Sequence, residues 1–211
     1  MPVLLSLGLA LLLAQASAPP GALPPAAALR LARGVEEARP YRQHVWRDTR
    51  PINADGTVTA YIEIPRGDRQ KWEFSIASNR RLLDRVLPPA VGGYPVNYGF
   101  VPRTISYDGD PFDALVLGRA LRGGALVRGS VVGILHMEDE KGLDSKVVLS
   151  PVILGKTVYA LTEADRARIA AFFGKYKAHE PGKFSKVRGW GTPEEGLAFV
   201  RQTHEFFRTG S

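Results

Sequence analysis

Three carboxylates fall within six residues in Asp108-Gly109-Asp110-Pro111-Phe112-Asp113. Carboxylates this close disfavour one another's ionised forms unless cations or solvent compensate them. Gly109 permits a sharp turn and Pro111 restricts its neighbours, so the three can converge instead of splaying. Oxygen donors without thiolates suit hard cations such as Mg²⁺, Mn²⁺ or Ca²⁺. Counting from Asp108 excludes a calcium loop of the EF-hand kind: Asp113 stands where glycine is required, and Arg119 where a bidentate glutamate is required. Two readings of the loop stand side by side, a metal site and an ordinary Asp-Gly and Asp-Pro turn.

A second acidic run, Met137 to Lys146, joins two strand-like segments and offers Asp139 and Asp144 as further ligands. Its plain alternative is a solvated charged hairpin. Between and after these runs lie groups suited to phosphate: Lys71, which shares a strand face with Glu73; Arg85; the phenols of Tyr94 and Tyr98; and Tyr176-Lys177. Lys and Arg neutralise phosphate oxygens, and tyrosine hydroxyls donate to them. Singly, each is an ordinary surface charge or packing residue.

Composition narrows the chemistry. The 211 residues contain no cysteine, so thiolate metal sites, disulfides and cysteine nucleophiles are excluded. His44, His136, His179 and His204 are scattered and lack the spacing of a zinc-binding helix. A formal charge of +7 and a pI near 9.8 suit a polyanionic partner. No RNP-like motif, zinc finger or dense basic helix accompanies that charge, so nucleic acid is not indicated as a partner.

The elements that must position these residues begin at Thr57. Val58, Ala60, Ile62 and Ile64 alternate with polar neighbours, the pattern of a half-buried strand. A second strand over Lys71 to Ile76 turns Trp72, Phe74 and Ile76 to the core, and Leu82 to Val86, Val96 to Val101, Ala114 to Leu117, Leu126 to Leu135 and Lys146 to Val152 follow. Two helices close the chain. The first opens at Thr162 with Asp165 in capping-box spacing and carries Ile169, Phe172, Phe173 and Tyr176 on one stripe; the second opens at Thr192-Pro193-Glu194-Glu195. The expected fold is α+β: a small, partly closed antiparallel β-barrel of OB-like type, with two C-terminal helices covering one side.

Residues 1–18 read as a signal peptide, with an apolar run from Val3 to Ala14 and small residues at Ala16-Ser17-Ala18. The run is shorter than the about 20 residues a spanning helix needs, so no stable membrane insertion is expected after processing. Residues 19–50 read as a partly disordered extension with one short helix over Ala26 to Arg39 and no chemistry of its own, and residues 51–211 as the domain.

Taken in order, Ile62-Glu63-Ile64-Pro65, Lys71-Trp72-Glu73, Asp84-Arg85, Tyr94-Pro95-Val96-Asn97-Tyr98-Gly99, the Asp108 to Asp113 run, Asp139-Glu140, Asp144-Ser145-Lys146, Tyr176-Lys177 and Gly182-Lys183 resemble the soluble family I inorganic pyrophosphatases. The resemblance implies hydrolysis of pyrophosphate with several Mg²⁺ ions, Mn²⁺ being a substitute. It implies that Asp108, Asp113 and Asp144 bind one cation, that Asp113 reaches a second, and that Asp139 and Asp144 hold one arriving with substrate. Glu63 would act on the cations through water, and Asp110 would be the general base. Lys71, Arg85, Tyr98, Lys146, Tyr176 and Lys177 would bind phosphates, with Lys183 more peripheral. A homo-oligomer is likewise implied. Two rival classes are a non-catalytic barrel that binds metal or nucleic acid and a phosphohydrolase acting on nucleotides or organic phosphates.

The N-terminal segment implies export to the periplasm or beyond, the alternative being the cytoplasm that most family members occupy. N-terminal sequencing of the mature protein should begin at Pro19; an intact Met1 would contradict export.

Overall fold

A computed structural model describes residues 21–210, so the expected signal peptide lies outside the described residues. The extension forms α1 (Pro25–Ala38) and α2 (Val45–Asp48). Ten strands follow: β1 (Val58–Ile64), β2 (Gln70–Ser75), β3 (Arg80–Val86), β4 (Asn97–Phe100), β5 (Asp113–Val116), β6 (Leu126–Asp139), β7 (Gly142–Leu143), β8 (Lys146–Ile153), β9 (Lys156–Thr157) and β10 (Ser185–Gly191). Helix α3 (Glu163–Phe173) precedes β10, and α4 (Pro193–Thr209) ends the chain. No helix among the described residues is long and apolar enough to cross a membrane.

The spine is β6. Its first residues pair with β1, its middle with β8 and its last with β10, all antiparallel. From β1 the pairing passes to β4 and β5, and β5 then meets β8, so the strands curl into a ring, the partly closed barrel that was expected. One ladder departs from a purely antiparallel barrel: Ala114 to Val116 pair in parallel with Val147 to Leu149. The cause is topological. The β6–β8 hairpin brings β8 back along the far edge of β6, where β5 already runs in the same direction.

Apolar runs on both faces of the central strands require cover on both faces. Leu115, Leu135 and Val148 point into one cluster, and their neighbours Ala114, Val116, Ile134, Val147 and Leu149 into another. Helix α3 closes the first with Ile169, Phe172 and Phe173, and α4 closes the second with Phe199 and Val200. The two helices therefore serve opposite faces of the sheet and do not share one side. For the same reason β1 is buried along its whole length instead of half-buried. Tyr61, on the face expected to meet solvent, packs on Phe74 and Phe100.

Both terminal helices carry the capping boxes read from the sequence, Thr162 with Asp165 and Thr192 with Glu195. The stripe on α3 stops early, however. The helix ends at Phe173 with Gly174 as its cap, so Tyr176 and Lys177 lie in the turns beyond it. Strands β2 and β3 form a separate ribbon on which Trp72 and Phe74 are only partly buried.

A third cluster ties the extension to the domain: Leu23, Ala27 and Leu31 of the extension join Trp46, Tyr61, Phe100, Ile105 and Phe206. Trp46 Nε1 donates to Thr104 O at 2.9 Å, and Arg47 donates to Ala38 O and Tyr41 O at 2.7 and 2.8 Å, satisfying carbonyls at and just past the end of α1.

At Gly99 the backbones of β4 and β1 approach so closely that an added Cβ would lie 1.8 Å from Tyr61 O. Gly99→Ala should therefore destabilise the protein by about 2 kcal/mol or more, as overpacking against unyielding backbone does. Denaturant unfolding checks this, and an unchanged midpoint would contradict the close approach.

Candidate active site

A cavity of about 390 Å³ opens where these segments meet. Asp108 and Asp110 reach it from the loop after β4, Asp113 from the start of β5, Glu63 from β1, and Asp139 and Asp144 from the β6–β8 connection. Lys71 and Arg85 come from the ribbon, Tyr98 from β4, and Tyr176, Lys177 and Lys183 from the segment after α3. Every residue singled out in the sequence lines this space except Lys146, which lies buried against it.

The acidic loop is fixed by its own backbone. Ser106 N donates to Asp110 O at 2.7 Å, Asp110 N to Asp108 Oδ1 at 3.0 Å, and Phe112 N to Thr104 Oγ1 at 2.9 Å. Gly109 takes φ 83°, the left-handed conformation that glycine adopts without penalty. Phe112, fully buried, anchors the far end.

Cationic side chains are interleaved with the carboxylates. Lys146 Nζ donates to Asp113 Oδ2 at 2.5 Å and Asp144 Oδ1 at 2.7 Å, with the rings of Tyr98 and Phe173 within 5.7 and 5.5 Å. Lys177 Nζ donates to Asp139 Oδ2 at 2.6 Å and also meets Glu140. On the ribbon Lys71 pairs with Glu73 and Asp84, while Arg85 donates to Asp84 at 2.5 Å and Glu180 at 2.6 Å. Arg85 Nε is buried without a partner among the described residues, a donor suited to an anion's oxygen.

Burial dominates the acid–base behaviour. It pushes Glu63 up to about 8, against the hydrogen bond from Phe74 N, and Asp108 up to about 7, with the Asp110 charge adding to the effect. Burial also raises Asp144 to about 6, although Lys146 pulls it down. Asp139 differs: burial pushes it up, but the hydrogen bonds from Lys177 and Lys141 N prevail and hold it below the usual range. Burial would lower Lys146, yet Asp113 and Asp144 outweigh it and keep the ammonium charged well above its ordinary range.

The donor set fits a hard divalent cation. It consists of carboxylate oxygens, several of them destabilised as anions by burial, and an ammonium already bridges Asp113 and Asp144. Among the described residues no three Asp, Glu or His side chains form a ready-made ligand cluster. The carboxylates are instead arranged around ammonium groups. Two of the histidines are held by backbone carbonyls: His44 Nε2 is 2.9 Å from Ile76 O, and His204 Nδ1 is 2.7 Å from Arg103 O.

Two cavity residues escaped the sequence reading. Lys141 was visible in the acidic run, yet nothing marked it as a partner of Asp110, which it approaches to 3.2 Å. Arg30 belongs to the extension, where no chemistry was expected; its Nη2 lies 2.6 Å from Asp110 Oδ1. The apolar spacing of Ala27, Leu31, Gly34 and Ala38 gives the buried stripe of α1, but carries no signal that the helix crosses a loop eighty residues away.

Comparison with known proteins shows which family the chain resembles in sequence and fold. Residues 60–208 match the family model for inorganic pyrophosphatase. The chain is 37% identical over 167 residues to the inorganic pyrophosphatase of Saccharolobus solfataricus, covering 74% of this chain and 95% of the relative. It is 40% identical over 154 residues to that of Helicobacter pylori, covering 69% and 88% respectively. Among solved structures, the Helicobacter pylori enzyme superposes with a TM-score of 0.71 at 34% identity over 76% of this chain and 99% of that one. The Thermus thermophilus enzyme superposes with a TM-score of 0.70 at 37% identity over 79% and 99%. The chain belongs to the inorganic pyrophosphatase family, whose reaction is the hydrolysis of pyrophosphate to two phosphates.

The raised Glu63 has a consequence for stability. The folded state keeps a proton that the unfolded chain releases near pH 4.5, so stability falls as pH rises from about 4.5 to about 8 and levels off above that. Glu63→Gln cannot release it. In chelator-treated protein, the melting temperature of Glu63→Gln minus that of wild type should widen from pH 5 to pH 8; a constant difference would contradict the buried, protonated carboxyl.

Proposed function

We propose that the cavity hydrolyses pyrophosphate by in-line attack of water on one phosphorus, with Asp110 taking the proton from the attacking water. The observation that carries this reading is the convergence on one cavity of carboxylates from three chain segments together with Lys71, Arg85 and Lys177. Attack on an already anionic phosphorus requires charge neutralisation and a positioned nucleophile more than covalent help from the protein. Asp110 suits the base's part, because its side chain is 42% exposed while Asp108, Asp139 and Asp144 are far more enclosed.

Asp108, Asp113 and Asp144 would hold one Mg²⁺, Asp113 would reach a second, and Asp139 with Asp144 would take a third with the substrate. When bound, such cations, Mn²⁺ among them, neutralise phosphate oxygens and acidify nearby water. Glu63 orders water at the rim of that set. Lys71, Arg85, Tyr98, Tyr176 and Lys177 hold the phosphate oxygens, with Lys183 further out. Lys146, enclosed between Asp113 and Asp144, acts through those carboxylates and not by direct reach.

The exposed apolar residues Ile153, Leu154, Val158 and Tyr159 support assembly as a homo-oligomer. Export rests on residues 1–18 alone; a domain without cysteine suits a reducing compartment equally well, and the cytoplasm is the alternative site of action.

Asp110→Asn preserves shape but cannot accept the proton. It should lower kcat for pyrophosphate by about a hundredfold or more with an unchanged circular dichroism spectrum. An unimpaired rate would remove Asp110 from the base's role, and faster release from a nucleotide than from pyrophosphate would favour the organic-phosphate reading.

A further inference from the structure

Helix α1 lies directly across the acidic loop. A Cβ added at Gly109 would stand 2.6 Å from Arg30 Cδ and 3.2 Å from Ala27 Cα, so the glycine is what lets the helix approach. The approach is anchored, because Leu23, Ala27 and Leu31 sit in an apolar cluster with Tyr61, Phe100 and Ile105. From this seat Arg30 lines the cavity and donates through Nη2 to Asp110 Oδ1 at 2.6 Å. Lys141 meets the other oxygen, Asp110 Oδ2, at 3.2 Å. The carboxylate is thus gripped from two sides by cations of unrelated segments, one of them outside the residues that match the family model.

We propose that Arg30 is a positioning residue of this enzyme: the N-terminal helix completes the active site by orienting the carboxylate of Asp110 for the attacking water. The proposal rests on Asp110 being the base. Each carboxylate oxygen carries two lone pairs, so accepting from Arg30 leaves Oδ1 able to accept from water as well. The pair is half-exposed, and such pairs add little to stability. Its effect is geometric, fixing one rotamer of a half-exposed carboxylate in the cavity, and misplacement of a catalytic group is costly in rate.

Steady-state hydrolysis of pyrophosphate by the full chain tests this with wild type, Arg30→Ala, Arg30→Lys, Arg33→Ala and Asp110→Asn. Arg33 is the control, since it lies on the same helix and pairs with Glu37. Arg30→Ala should lower kcat about tenfold with KM within about twofold and an unchanged melting temperature. Arg30→Lys should recover part of the loss, and Arg33→Ala should match wild type. A wild-type or raised kcat in Arg30→Ala would overturn the proposal, the latter marking the helix as a brake. So would a raised KM at unchanged kcat, which marks a phosphate contact instead, or an equal loss in Arg33→Ala. A fully active Asp110→Asn would sink the assignment of the base itself, a failure separate from an inert Arg30 beside an inactive Asp110→Asn.

Discussion

Carboxylates gathered in one cavity cannot all remain ionised without cations among them, and the rest of the structure follows from that constraint. Burial raises Glu63, Asp108 and Asp144 toward neutrality, while Asp113 and Asp144 hold Lys146, and Tyr176, Asp139 and Glu140 hold Lys177, more firmly in their charged forms. An ammonium lies between Asp113 and Asp144, another meets Asp139 and Glu140, and two cations meet Asp110, so cations are shared among the carboxylates instead of paired one to one. Carboxylates that share a cation keep oxygens and charge for divalent cations, and the lysines and arginines suit an anionic phosphate.

The scaffold supplies rigidity where that balance needs it. Alternate residues of β5, β6 and β8 feed two apolar clusters, so the strands that carry Asp113, Asp139 and Lys146 are packed from both faces. Apart from Lys146 on β8 and Lys141 in the β6–β7 turn, the segments that supply the cations are of another kind: a two-stranded ribbon, a series of turns after α3, and a helix from the extension. Lys177 and Arg30 thus meet the sheet's carboxylates from elements laid against it.

Much of this was legible in the residues themselves. The acidic runs, the alternation of β1 and β2 and the two capping boxes are local signals, and they located the carboxylates and both terminal helices. What stayed hidden depends on contacts distant in sequence. Full burial of β1 reflects cover by Phe74 and α1, the parallel β5–β8 pair reflects the path of β6, and the end of α3 before Tyr176 reflects Gly174. Arg30 was the deepest omission, because an arginine on the polar side of an amphipathic helix looks like any solvated charge until the helix is docked.

Phosphate release from pyrophosphate with and without divalent cations tests the charge balance of the cavity. Release is expected with Mg²⁺, and with Mn²⁺ in its place, and none above background in excess chelator. Equal release in chelator, or none with either cation, would contradict it.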